Sequence, residues 1–290
     1  MGDYVIMTDS TCDLTQELAD QLDVTVVPLS FIMDGKTYFG SLNQKTISTE
    51  DFYQKLKKGE KVSTAQVNSE EFIDYFEPVL QKGQNILYIA FSSGLSGTCQ
   101  SAFIAQKELA QKYPERNIMV FDSLCASLGE GLLVYLAVQK KREGFSLEET
   151  YAWLKANALH IAHWFTVDDL NHLKRGGRVS AGAAFIGTML SIKPVLHVDN
   201  EGHLIPVSKV RGRRASLDTL VKKMQETAID PQNQVVFISH GNCLEDALYV
   251  KEQIQNKIGV KAFEINVIGP IIGAHAGPGT IALFFVATER

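Results

Sequence analysis

The run Asn85-Ile86-Leu87-Tyr88-Ile89-Ala90 carries no charge, and the stretch after Phe91, Ser92-Ser93-Gly94-Leu95-Ser96-Gly97-Thr98, is almost entirely small or hydroxylated. A short apolar run bounded by turn residues predicts a strand buried on both faces, and the apolar spacing over 100–112 suits a helix. The unit is therefore strand, hydroxyl-rich turn, helix. Such a turn aims backbone N–H groups and serine hydroxyls past the strand end, where the positive end of the next helix favours an anion. A plain helix cap by Ser96 or Thr98 would use the same residues. Two more hydroxyl-bearing loops follow the same logic: Thr8-Asp9-Ser10-Thr11-Cys12 after a strand at 4–7, and 61–68 ahead of another helix. In α/β sheets ligands sit beyond the carboxyl ends of the strands, so the three loops are expected to converge on one site.

The rest of the chain extends this pattern. Asp13 and Gln16 have capping-box spacing for a helix starting near 13, Asn68 with Glu71 and Ser146 with Glu149 have it for two more, and Asp34-Gly35 marks a hairpin. After about residue 156 the character changes. Lys174-Arg175-Gly176-Gly177-Arg178 interrupts a short helix, 181–190 reads as a charge-free helix, and Asp199-Asn200-Glu201-Gly202-His203 turns a hairpin. The expectation is an α/β fold in two domains: 1–155 with a mainly parallel sheet, and 156–290 of α+β type.

Composition narrows the function. A net charge of −5 over 290 residues opposes bulk nucleic-acid binding, which needs a basic excess. There is neither a basic leader followed by an apolar segment nor an apolar run near the ~18 residues of a spanning helix. Cys12, Cys99, Cys125 and Cys243 form no C-x-x-C pair, which fits reduced thiols and a cytoplasmic location. No G-x-x-x-x-G-K-[ST] loop is present, and Gly94-Leu95-Ser96-Gly97 misses the G-x-S-x-G elbow by one residue. A serine hydrolase drawing on His240 or His275 stays open as an alternative. Arg178 and Arg211 stand beside glycines in this acidic chain and are candidates to meet an anion or an acidic partner. His275 lies in Gly269-Pro270-Ile271-Ile272-Gly273-Ala274-His275-Ala276-Gly277, whose glycines imply close approach of backbone to another element or to a ligand.

Five ordered motifs together resemble the DegV family: Thr8-Asp9-Ser10-Thr11-Cys12-Asp13-Leu14, Ser63-Thr64-Ala65-Gln66, Ser92 to Thr98, Leu173-Lys174-Arg175-Gly176-Gly177-Arg178, and Gly269 to His275. Characterised bacterial members bind long-chain fatty acids as the carrier subunit of fatty acid kinase. The resemblance implies an acyl tunnel between two domains and no intrinsic catalysis. It implies a carboxylate held by Thr64 and Ser93, with Ser92, Ser96 and His275 as further contacts. Arg178, Arg211 and His275 are implied near the opening, for kinase docking or phosphoryl transfer. The implied partners are a long-chain fatty acid and an ATP-dependent kinase subunit, with at most transient membrane contact; no metal or other cofactor is implied. The chain departs from the family at Ala65 and Val67, often Ser and Pro, and at Cys99, often Tyr.

The implied function is physically reasonable. Burying about sixteen carbons at roughly 0.8 kcal/mol per methylene is worth on the order of 10 kcal/mol, enough to compete with a bilayer. A buried carboxylate needs donors, and hydroxyls with a helix N-terminus supply them without a fixed charge. The expected function is a carrier whose fatty acid a separate kinase converts to acyl phosphate for phospholipid synthesis. The alternatives are a serine hydrolase or a sugar-ketone kinase-like enzyme acting alone, or an interaction protein in which the glycine loops merely pack.

Overall fold

Strands β1 (Tyr4–Asp9) and β6 (Asn85–Ala90) are buried along nearly their whole length, as central parallel strands must be. The computed structural model describes residues 4–179 and 191–290, so the helix expected at 181–190 lies outside the described residues. With β2 (Thr25–Val27) and β7 (Ile118–Asp122) the two strands form a parallel sheet in the order β2–β1–β6–β7. Side chains alternate between its faces. Met7, Ile86, Tyr88, Ala90 and Val120 pack with α2 (Thr49–Lys57), α3 (Ser69–Gln81) and α4 (Thr98–Lys112). Tyr4, Ile6, Leu87, Ile89 and Phe121 pack with α5 (Leu128–Arg142) and α6 (Leu147–Asn157).

A small antiparallel sheet, β4–β3–β5, is built from β3 (Ser30–Met33), β4 (Lys36–Phe39) and β5 (Val62–Ala65). Asp34 and Gly35 turn its hairpin with φ of 54° and 70°, and its register sets Thr64 opposite Phe31. The second large sheet has the order β10–β9–β8–β13–β11–β12, from β8 (Ile161–Thr166), β9 (Ile192–Val198), β10 (Leu204–Arg211), β11 (Val235–His240), β12 (Ala262–Val267) and β13 (Ile281–Val286). It is mixed, with β11 and β12 parallel and the other pairs antiparallel. One face packs on α8 (Arg213–Thr227) and α9 (Leu244–Ile258), and the other places Phe165, Leu196, Phe237 and Phe284 in the core that contains α5. Helix α5 therefore lies between the two large sheets.

The start of the chain departs from its expected helix. Ser10–Cys12 forms a single 3₁₀ turn, Asp13 takes a left-handed conformation (φ 52°), and helix α1 (Gln16–Leu22) is capped by Thr15. Asp13 is used elsewhere. Its buried carboxylate accepts from the Ser127 hydroxyl (2.5 Å) and the Gly269 N–H (2.8 Å), and its carbonyl accepts from the Asn266 amide (2.7 Å). Tertiary hydrogen bonds have displaced a local cap. Gly269 opens α10 (Pro270–Ala276), where a Cβ on Gly273 would come within 2.7 Å of the Tyr53 hydroxyl. The glycines of this motif thus bring one half of the chain against the other.

Burial pushes the Asp13 carboxyl up to about 7, with the Ser127 and Gly269 hydrogen bonds opposing the rise. The folded protein therefore keeps a proton that the unfolded chain releases near pH 4, and the stability tied to it falls as pH rises toward 7. In urea unfolding at about pH 5 and about pH 8, the parent should lose stability relative to Asp13→Asn on going to the higher pH. An Asp13→Asn difference that is the same at both values would contradict this.

Candidate functional site

The turn after β6 is positioned from below and from the side. The Asp9 carboxylate accepts from the Tyr88 hydroxyl (2.7 Å) and the Phe91 N–H (3.2 Å), which fixes the strand end. The buried Ser92 hydroxyl donates to the Gly202 carbonyl (2.9 Å) at the tip of the β9–β10 hairpin, and the Ser92 carbonyl accepts from the N–H groups of Leu95 and Ser96. This curl decides which side chains face inward. Leu95, Ser96 and Gly97 line a cavity of about 420 Å³, whereas Ser93 is exposed and its N–H bonds Asp122. The implied carboxylate contact at Ser93 therefore lies on the outer side of the turn, and Ser96 is its inward serine. Helix α4 begins at this wall: its N-cap residue Gly97 lines the cavity, and the Thr98 N–H of its first turn donates to Ser96 Oγ (3.2 Å).

The opposite wall comes from β5 and α10. Thr64 Oγ1 lies 2.8 Å from His275 Nε2, and both residues line the cavity. Burial, and then the Arg178 charge, push the His275 imidazole down to about 4, so it is neutral near pH 7. Its Nδ1 is buried without a partner and faces Gly176, where a Cβ would collide with it. The Gly176-Gly177 pair, with Gly177 at φ 71°, turns the chain so that half-buried Arg178 donates to the carbonyls of Leu95 and Gly176.

Apolar side chains from both large sheets complete the cavity: Phe91, Phe165, Val198, Leu204 and Phe284, with Ile271 and Ile272 of α10. Its volume falls in the ~300–1,000 Å³ range of small-molecule sites. Other polar lining groups are already engaged. Ser127 donates to Asp13, the His163 nitrogens meet the Ile161 carbonyl and the Ala126 N–H, and Thr280 donates to the Ala276 and Gly277 carbonyls. The polar groups that stand with the cavity's loops are Thr64 and His275, which pair with each other, Ser96, which pairs with Thr98, and Arg178, which donates to the Leu95 and Gly176 carbonyls.

Two implied contacts lie outside this wall. Ser92 is used in the hairpin contact, and Arg211 is exposed at the end of edge strand β10. A bulge between Pro206 and Ser208 shifts the register, so that Arg211 opposes Ile192 and Leu204 opposes Val198. Arg211 thereby shares the cavity-facing side of the sheet while remaining beyond the cavity. Of the family departures, Ala65 lines the cavity, whereas Val67 and Cys99 are buried in the core beneath it. Gln66, Ile271 and Ile272 are lining residues that the sequence reading missed; the hairpin register and the short helix α10 place them there.

Among the described residues no serine hydroxyl is hydrogen-bonded to a histidine. Ser96 pairs with Thr98, His275 with Thr64, and His240 accepts from the Cys243 N–H. No group of three His, Cys, Asp or Glu residues able to hold a metal occurs among them either.

Comparison with known proteins agrees with this architecture. A DegV domain-containing protein of Clostridium perfringens is 44% identical over 290 residues, covering 100% of this chain and 99% of its own. A DegV family protein of Thermus thermophilus, described for its fatty acid binding, has a structure that superposes with a TM-score of 0.88 at 31% identity, covering 99% and 100% of the two chains. A stearic acid-binding protein of Eubacterium ventriosum superposes with a TM-score of 0.88 at 27% identity, covering 98% of each. The family model described as an uncharacterised protein of the DegV family matches residues 3–288, and the chain belongs to the DegV family.

Proposed function

We propose that this chain binds one long-chain fatty acid, with the acyl chain in the apolar cavity and the carboxylate at Thr64, Ser96 and the N-terminus of α4. The observation that carries the reading is the segregation of the lining: Thr64 paired with His275, and Arg178 bonded to the Leu95 carbonyl beside Ser96, give polar ends to a wall that is otherwise mainly apolar. The similar Thermus thermophilus and Eubacterium ventriosum proteins, described as fatty-acid binding, support it. A neutral His275 next to Thr64 lets the hydroxyl donate to the carboxylate while it accepts from the imidazole.

The bound acid is presented to a separate ATP-dependent kinase, and the product feeds phospholipid synthesis. A carboxylate oxygen bonds to the terminal phosphorus of the nucleotide as the bond from that phosphorus to the bridging oxygen breaks. The nucleoside diphosphate keeps the electron pair, and no proton moves. The sequence has no G-x-x-x-x-G-K-[ST] nucleotide loop, which supports a carrier rather than a self-sufficient kinase. Arg211, exposed outside the cavity, is suited to docking the kinase, and His275 and Arg178, which line the cavity with Thr64, are assigned to the side of the reacting oxygen.

Displacement of a fluorescent fatty acid tests the head-group assignment. Thr64→Val and Ser96→Ala should each weaken hexadecanoate by about tenfold or more, since a hydrogen bond to a charged group is worth roughly 1.5–3 kcal/mol. Hexadecanol should lose less, and Ser93→Ala should bind hexadecanoate like the parent. Unchanged hexadecanoate binding in both Thr64→Val and Ser96→Ala would place the carboxylate elsewhere. The partner step is read separately, as acyl phosphate formed with a cognate kinase and ATP. Arg211→Ala should keep its fatty acid and form acyl phosphate more slowly, and the parent without kinase should form none. ATP turnover by the parent alone would make the protein an enzyme rather than a carrier.

A further inference from the structure

A second cavity of about 480 Å³ lies against the first, and Thr64, Arg178 and His275 belong to the walls of both. The rest of its wall mixes apolar Leu56, Val62 and Ala274 with the polar and cationic side chains of Lys61, Ser63, His172 and Arg175. Lys61 and Arg175 are exposed, so this chamber opens to solution. The acidic residue of its wall, Glu60, lies 3.4 Å from Lys55 Nζ. The Arg175 guanidinium contacts His172 Nδ1 (3.3 Å), and burial followed by the Arg175 charge lowers the His172 pKa. Three cations therefore border one chamber in a chain of net charge −5.

We infer that this second chamber is a phosphate site, which receives the phosphoryl group when the carboxylate held at Thr64 becomes an acyl phosphate. The inference rests on the proposed fatty acid site. A carboxylate at Thr64 lies at the wall common to both chambers, so a group joined to its outer oxygen extends away from the acyl chain and into the cationic side. The new group adds negative charge and strong acceptor oxygens, which guanidinium donors match in fork geometry. The first chamber has Arg178 alone for that purpose, whereas the second adds Lys61 and Arg175. The geometry thus separates two tasks: the apolar chamber retains the chain, and the cationic chamber retains the modified head group.

Hexadecylphosphonate, a stable molecule with a phosphonate on a sixteen-carbon chain, tests this beside hexadecanoate and inorganic phosphate. The parent should bind the phosphonate at least as tightly as hexadecanoate. The Lys61→Ala, Arg175→Ala double variant should weaken the phosphonate by about tenfold or more while holding hexadecanoate within about twofold, which also shows that it is folded. Equal loss of both lipids, or loss of neither, would overturn the inference. Saturable binding of inorganic phosphate to the hexadecanoate-loaded parent, with no effect of the double variant on the phosphonate, would assign the chamber to free phosphate and also overturn it. Failure of the parent to bind hexadecanoate would instead remove the fatty acid reading on which it rests.

Discussion

The buried carboxylate of Asp13 ties the two halves of the molecule together, and the cavity depends on where it holds them. One oxygen accepts from Ser127 at the head of α5, and the other from Gly269 at the head of α10. The first helix lies between the sheets, and the second carries Ile271, Ile272 and His275 into the cavity wall. Such a group stabilises the fold only if its hydrogen bonds are complete, because an unpaired buried carboxylate is strongly unfavourable. Beside it, the lone hydroxyl proton of Thr11 faces both Asp9 (2.5 Å) and Glu130 (2.8 Å). Burial, and then the Asp9 charge, raise the Glu130 pKa well above the ordinary range, and burial raises that of Asp9 as well.

Much of this was legible from local signals. The strand, turn and helix at 85–112 formed, and the capping boxes at Asn68 with Glu71 and Ser146 with Glu149 are present. Asp13 was misread because its spacing to Gln16 satisfies a helix cap, while its partners lie more than a hundred residues away. The resemblance implies Ser93 for the carboxylate and Ser96 as a further contact; in the turn closed on the Ser92 carbonyl, Ser93 is exposed and Ser96 lines the cavity. Arg211 stands seven residues after Leu204, which in a regular strand puts it on the opposite face, and the bulge restores it to the same one.

The site matches the electrostatic needs of a lipid acid. The proposed function assigns the carboxylate to the hydroxyls and the helix terminus, with a neutral imidazole beside Thr64, and of the cations Lys61 and Arg175 border only the second chamber, while Arg178 borders both. An apolar cavity of this size gains most by being filled, since water inside it has few partners. The most direct test of the account is mass spectrometry of freshly purified, denatured protein with quantitative lipid extraction. The account predicts about one long-chain fatty acid per chain, given the methylene burial worth on the order of 10 kcal/mol. A folded preparation that carries no acyl chain and takes up none when offered one would contradict it.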